Sequence, residues 1–214
     1  MKKINKFLAS FLVAVMILTA APLTVFAETL SGTCGEGVAW SLDTEKGELI
    51  ISGNGKMDDF YANSYSSPIC NVPWYSVRDK VQSVLIKDGV THIGTLAFYN
   101  CANLTEITFP DSVTSFGGSV FSGCYKLTSV DLPENLTEIG ESVFSMSNIT
   151  KITIPDSVTA IGDSAFSRCY DLAEITFGAN VKSIGENAFS ETGELENIYF
   201  TGTLGDWCKS ALAT

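Results

Sequence analysis

Five phenylalanines keep time in this sequence. Phe98, Phe121, Phe144, Phe166 and Phe189 follow one another at spacings of 23, 23, 22 and 23 residues. Each closes the same short signature. Ile93-Gly94, Phe116-Gly117, Ile139-Gly140, Ile161-Gly162 and Ile184-Gly185 are followed, two residues on, by Ala97-Phe98, Val120-Phe121, Val143-Phe144, Ala165-Phe166 and Ala188-Phe189. A period of this length, held over five copies, confines the chain to architectures in which like units stack on like.

The other half of the unit runs on the same period. Val81, Leu104, Leu127, Ile149, Leu172 and Leu195 open it, and Val84, Ile107, Val130, Ile152, Ile175 and Ile198 follow three residues later. Two further on stand Ile86, Phe109, Leu132, Ile154, Phe177 and Phe200. Alternation of apolar and polar residues at the end of this half predicts a short, half-buried strand. Pro110, Pro133 and Pro155 stop it in three copies, because proline has no N–H to give a ladder. A turn follows, then a second short extended piece at Val-Thr-x-Ile-Gly. The Gly-x-x-Ala-Phe stretch predicts a single helical turn, too short to stand alone. One such coil cannot bury its own apolar side chains, but a stack of coils can. Six strands pairing sideways at ~4.8 Å would make a ladder of about 25–30 Å. The expected fold is a right-handed superhelix of β-rich coils with short helical turns around one apolar column.

Composition bears on where such a chain works. It opens MKKINKFLASFLVAVMILTAAPLTVFAE: three lysines, an apolar run, then Val25-Phe26-Ala27 as a cleavage site. This is the three-part pattern of a secretory leader, and the apolar run is short for a membrane span. Residues 1–27 are therefore expected to be removed, leaving a secreted or cell-surface chain from Glu28 with no transmembrane segment. No Cys sits just after Ala27, which argues against a lipid anchor. Without the leader's three lysines, 10 basic residues face 24 acidic ones, a net charge of −14. Such a surface repels phosphate backbones, so nucleic acid is a poor partner.

The pattern C-x-x-L-x-x-I-x-[IF]-P-x-x-V-T-x-I-G-x-x-A-F resembles the BspA-type leucine-rich repeat, over residues 81–200. The flanks resemble that family too. Ser31-Gly32-Thr33-Cys34-Gly35, Trp40-x-Leu42-Asp43, Leu49-x-Ile51-Ser52-Gly53 and Pro73-Trp74-Tyr75 look like the segment preceding the repeats, and Ile198 to Thr203 with Trp207 like a closing unit. The resemblance implies a leucine-rich-repeat solenoid, export to a bacterial surface or medium, and a binding role. It implies no ligand. Three departures stand out: one residue is missing between Phe144 and Ile149, with Ser147 near the cysteine position; Gly178 replaces Pro; and the last copy is expected to stop after Trp207-Cys208. Either the tail GDWCKSALAT caps the open end or the protein runs on.

Residues 28–80 do not follow the period. Val38–Leu42 and Glu48–Ser52 read as strands joined by a turn over 43–47, in a β-rich cap with Trp40 and Trp74 as packing anchors. A second reading makes Tyr61, Tyr65, Trp74 and Tyr75 an aromatic platform for sugars. The repeats occupy 81–214.

No catalytic apparatus is visible. The one histidine, His92, takes the variable place in Val-Thr-x-Ile-Gly, where other copies carry Ser115, Glu138, Ala160 and Ser183, and is expected at the surface. No nucleophile elbow, phosphate loop, zinc-protease helix or calcium loop occurs. Asp58-Asp59 point to opposite sides of an extended segment, and nothing suggests the cleft a glycosidase needs. No catalytic residue, cofactor or metal is expected. Six cysteines in an exported chain invite disulfides. Cys101, Cys124 and Cys169 share one slot. A Cys101–Cys124 bond is within reach between neighbouring coils, whereas Cys124 and Cys169 lie too far apart. The slot equally suits a buried thiol. Cys34 and Cys70 could pair within the cap, and Cys208 could pair externally.

Strand alternation leaves one pair per coil exposed: Ser83 and Leu85, Glu106 and Thr108, Ser129 and Asp131, Lys151 and Thr153, Glu174 and Thr176, Asn197 and Tyr199. This ladder of Thr, Ser and acids is the candidate binding face. The readings that remain are a binding module for a protein or glycan, in adhesion or host contact; a structural spacer; and, third, an enzyme.

Overall fold

The computed structural model describes residues 28–62 and 70–203. Three strands begin it: β1 (Thr29–Gly35), β2 (Val38–Asp43) and β3 (Glu48–Gly53) form an antiparallel meander. The β2–β3 turn is held by the Asp43 carboxylate, which accepts from the N–H groups of Glu45 and Lys46 at 3.1 and 3.0 Å. Gly47 supplies the positive φ of 70° that ends the turn. β4 (Gly55–Lys56) follows, and a 3-10 helix over Tyr75–Lys80 leads into the repeats.

Each coil then has three sides. On the first lie β5 (Ser83–Ile86), β7 (Glu106–Thr108), β10 (Lys151–Thr153), β12 (Glu174–Phe177) and β14 (Asn197–Phe200). On the second lie β6 (Val90–Ile93), β8 (Ser115–Phe116), β9 (Glu138–Ile139), β11 (Ala160–Ile161) and β13 (Ser183–Ile184). Successive strands pair in parallel, as coils of one hand require. β3 pairs with β5 in the same way, so the meander continues the repeat sheet. Where Gly178 stands in place of proline, β12 reaches Phe177, while β7 and β10 stop at Thr108 and Thr153, before Phe109-Pro110 and Ile154-Pro155.

The third side is the Gly-x-x-Ala-Phe stretch, and its regularity is of a kind the sequence does not foretell. The expected helical turn is a run of tight turns that also forms a ladder. Ala97, Tyr99 and Cys101 donate to the carbonyls three residues back, while the alternate N–H groups of Leu96, Phe98 and Asn100 reach Gly118, Val120 and Ser122 of the next coil. The same alternation recurs at Ser119, Phe121 and Gly123, at Ser142, Phe144 and Met146, and at Ser164, Phe166 and Arg168. It requires left-handed backbone twice per coil, at Leu96 and Asn100 and their equivalents. Most backbone donors there are satisfied either within the coil or across to the next.

Inside, the clock residues stack ring on ring. Centroids of Phe98, Phe121, Phe144, Phe166 and Phe189 lie 5.6, 5.3, 5.4 and 5.3 Å apart in sequence, with nearly parallel planes. Fully burying one such side chain is worth about 1.5–3 kcal/mol. Trp74 starts the column: it stacks on Phe98 at 6.0 Å, meets Trp40 edge-on at 5.5 Å, and donates its indole N–H to the Ala97 carbonyl. Both tryptophans are buried, as packing anchors should be.

The cysteine slot is a thiol slot. All five described cysteines are free and buried, so the Cys101–Cys124 and Cys34–Cys70 bonds do not form. Cys124 and Cys169 instead donate to the Phe98 and Phe144 carbonyls at 3.2 and 3.0 Å. Ser147 fills the slot in the remaining coil, 3.5 Å from the Cys169 sulfur. Burial pushes the Cys34 and Cys101 thiols up to about 12, and Cys124 well above the usual range, which leaves no nucleophilic thiolate. Cys208 lies outside the described residues.

The stack is not uniform. The sheet of β1, β2, β3, β5 and β7 ends at β7, and a separate sheet starts at β10; on the second side β4, β6 and β8 are likewise separate from β9, β11 and β13. The second-side interruption falls between the coils opened by Leu104 and Leu127, and the first-side interruption takes in the whole first side of the Leu127 coil. Phe116 is the reason. It stands where the other coils carry Ile, and it packs with Phe109 at 5.2 Å and Phe121 at 5.9 Å. Two bulky rings on one coil wedge the next one away. Gly140 registers the gap: a Cβ there would lie 3.4 Å from the Gly117 oxygen, whereas at Gly162 and Gly185 it would strike the preceding coil at 2.7 and 2.4 Å. The phenylalanine side of the same seam stays closed, with Ser119, Phe121 and Gly123 bonded across it.

Candidate binding face

The twelve predicted face residues do line the first side of the stack. Parallel register places Ser83 beside Glu106, Leu85 beside Thr108, Glu174 between Lys151 and Asn197, and Thr176 between Thr153 and Tyr199. Glu106, Thr108, Ser129, Asp131, Lys151, Thr153, Asn197 and Tyr199 are exposed; Ser83, Leu85, Glu174 and Thr176 are half-buried. The face extends further than the repeats suggest. Glu48 and Ile50 of β3 pair with Ser83 and Leu85 and continue both columns into the meander. The alternation Glu48-Leu49-Ile50-Ile51, matching Ser83-Val84-Leu85-Ile86, was the available signal.

The ladder of side chains is continuous, but the backbone ladder beneath it is not. Ser129–Asp131 belongs to neither sheet. On one side is the seam at Phe116; on the other, the coil opened by Ile149, which the Thr150 N–H joins to the Thr128 carbonyl at 3.0 Å. Two hollows result. One, of ≈ 500 Å³, lies between Thr105–Asp111 and Ser129–Glu134. The other, of ≈ 540 Å³, lies between Ser129–Glu134 and Lys151–Asp156. The first is edged by Glu106, Asp111, Asp131 and Glu134 with no base, and the second by Asp131, Glu134, Asp156 and Glu174 with the single base Lys151. Asp156 is tied in place. Its carboxylate accepts the Ala179 N–H at 2.7 Å and the Thr201 hydroxyl at 3.0 Å, and the Ala179 bond leads in holding it below the usual carboxylate range.

The other candidates do not assemble. Trp74 is wholly buried while Tyr61 is 61% exposed, and Tyr65 lies outside the described residues, so the aromatic platform is not brought together. His92 is half-buried rather than free at the surface, between Ser115 and Asp59. Its Nδ1 lies 2.8 Å from the Ser115 hydroxyl and its Nε2 3.5 Å from Asp59. Those residue types recur in hydrolases, but here Asp59 is committed elsewhere. It accepts both the N–H and the hydroxyl of Thr95, at 2.7 and 2.6 Å, and these bonds draw its carboxyl below the usual range. With Phe60 N–H bonded to the Thr95 carbonyl, the cluster seams the N-terminal block to the first coil. Among the described residues there is no group of three potential metal ligands, and no helix long and apolar enough to cross a membrane.

Comparison with known proteins agrees with this geometry. A model of the BspA-type leucine-rich-repeat region matches residues 78–213 in six copies. No curated protein matches the chain. Among solved structures it is similar to a leucine-rich-repeat protein from Eubacterium ventriosum, at 20% identity and a TM-score of 0.57, covering 82% of this chain and 73% of that one. It is also similar to the leucine-rich-repeat protein of T. pallidum, at 27% identity and 0.55, covering 78% and 70%. A third likeness is to a leucine-rich-repeat protein from Bacteroides ovatus, at 29% and 0.51, covering 77% of this chain and 52% of that chain.

Proposed function

This chain belongs to the BspA-type leucine-rich-repeat family, and on that premise we propose that it is a secreted or cell-surface binding module that takes a protein partner on its sheet face. The setting we assign it is adhesion or contact with a host. The observation that carries the reading is the opened coil at the centre of the face. Ser129–Asp131 lies between two hollows edged by carboxylates, in a ladder otherwise closed by its own backbone bonds. Backbone groups outside a ladder must find other partners, and a carboxylate rim favours a partner with basic side chains. An extended, Lys- or Arg-bearing segment meets both demands.

The test is a binding titration against short basic and acidic peptides, with a glycan array alongside. Basic peptides should bind, more weakly at high salt. Replacing Glu106, Asp131 and Glu174 together by Lys should abolish the binding. Glycan binding alone would move the partner to carbohydrate. Binding that survives the triple replacement would remove this face, and no binding at all would favour a structural spacer.

A further inference from the structure

The sheet that carries the face has an open end. Its strands run in the order β1, β2, β3, β5, β7, so among the described residues β1 has a neighbour on one side only. The backbone alternation says which groups are left over. The Thr44 N–H donates to the Glu28 carbonyl at 3.2 Å, and across β2 the Asn54 N–H donates to the Gly37 carbonyl at 3.0 Å. Bonded and non-bonded pairs alternate along an antiparallel ladder. Both bonds therefore make Leu30–Leu42 and Gly32–Trp40 the bonded pairs of β1 with β2. Thr29, Ser31 and Thr33 turn their N–H and C=O groups to the open edge.

Edge strands are commonly blunted by a lysine, a proline or a bulge. Thr29-Leu30-Ser31-Gly32-Thr33 carries no charge and no proline, and the one irregularity in its register comes after Thr33. Thr29, Ser31 and Thr33 are exposed. The stretch is also self-complementary. Set antiparallel to a second copy about Ser31, it opposes Ser31 to Ser31, Thr29 to Thr33 and Leu30 to Gly32. The last pair meets on the core side of the sheet. Leu30 is half-buried and packs against the core. Gly32 is exposed and leaves the indole beside it bare, since a Cβ there would stand 3.0 Å from the Trp40 Nε1. Leu30 of the second copy would lie over that bare patch, and the two-fold axis repeats the fit. Charge selects the same place. Without the leader's lysines the chain carries −14, so two copies repel at an acidic surface but can meet at an uncharged one.

We propose that β1 pairs with β1 of a second copy, antiparallel and centred on Ser31, to form a two-fold dimer. Two five-stranded sheets then become one. Ser31 is in register with Ser41, Ile50, Leu85 and Thr108, and residues directly opposed across a ladder share one side of the sheet. Both candidate faces therefore look the same way, while the two stacks run off in opposite directions. Such a dimer engages two sites on one target surface at once and gains avidity without a new contact. That last consequence rests on the binding reading above; the pairing itself does not.

Sedimentation equilibrium with no peptide present tests the pairing. The described fold begins at residue 28, so the chain from Glu28, without its expected leader, carries all of it. It should show a monomer–dimer equilibrium that tightens as salt screens the like charges. Ser31→Pro removes only the outward N–H, which an edge strand tolerates, and should weaken the dimer by about tenfold or more. Ser31→Glu sets two carboxylates opposite each other and should weaken it as well. Unchanged circular dichroism shows that each variant folds. Cross-linking tests the register, because Cα atoms of a bonded pair lie about 5.5 Å apart, within disulfide reach. In a Cys208→Ser background treated with diamide, Ser31→Cys should link copy to copy. Thr33→Cys should link only when mixed with Thr29→Cys. A chain that stays monomeric at every concentration would overturn the proposal. So would a dimer that survives both Ser31 variants, or one that links through Thr33→Cys alone.

Discussion

The coils opened by Ile149 and Leu172 and those opened by Leu104 and Leu127 share one plan and differ in closeness. In the first pair β10, β12 and β14 run as an unbroken ladder, and the glycines at 162 and 185 have no room for a methyl group. In the second pair the sheet ladders are interrupted on two sides; the phenylalanine column holds, and on the second side the Thr137 N–H still reaches the Thr114 carbonyl. Two things differ: the coil opened by Leu127 is one residue shorter than the rest, and one slot differs in volume, with Phe116 where the tight coils carry Ile161 and Ile184. Closeness between coils thus follows side-chain size as well as repeat length, and the loosened seam falls beneath the face proposed to bind.

The largest test of this contrast uses the glycines as feeler gauges. Gly162→Ala forces a methyl group against the Gly140 and Glu141 backbone and should cost about 1–3 kcal/mol of stability. Gly140→Ala meets only ordinary contact and should change stability by less than about 0.5 kcal/mol. Urea unfolding of the two variants measures the difference, and equal costs would show that the seam is closed. A smaller effect should follow Phe116→Ile, which takes out the wedge. Its net stability change should stay under about 1.5 kcal/mol. The amides of Val130 and Leu132 should nonetheless gain exchange protection as the ladder zips, and peptide binding at the face should weaken. The smallest effect belongs to Asp156, which links three of the tight coils through Ala179 and Thr201. Its folded pKa is depressed, so its contribution is present in full above the ordinary carboxylate value of about 3.9. It is lost as pH falls through the folded value. Thermal melts from pH 5 to pH 2 should show the wild-type chain losing slightly more stability than Asp156→Asn.

The sequence carries the large features plainly because every coil repeats them. Leu, Ile and Phe at fixed intervals give the stack, its core and the exposed pairs such as Glu106 and Thr108, since alternation on a strand leaves little choice. It hides what depends on neighbours. Phe116 satisfies an apolar pattern as well as Ile does, and only packing shows that it is too large. The third-side ladder is hidden because its left-handed positions carry Leu96, Ser119 and Asn187, not the glycine that usually announces such backbone. The cysteines misled through context: beside a leader-like N-terminus they suggest disulfides, yet their slot is a buried one that Ser147 fills equally well.

The phenylalanine column, continuous from Trp74 to Phe189 while the opposite sides part, has a mechanical consequence. Neighbouring coils hold one another only through their shared boundary, so under a tension that is equal at every boundary the extension would fall first on the weakest. That boundary lies at Phe116 and Gly140. Pulled from its two ends, the stack would give there first, with the ring stack as its spine, and the hollows beside Ser129–Asp131 would widen under force before any coil unravelled.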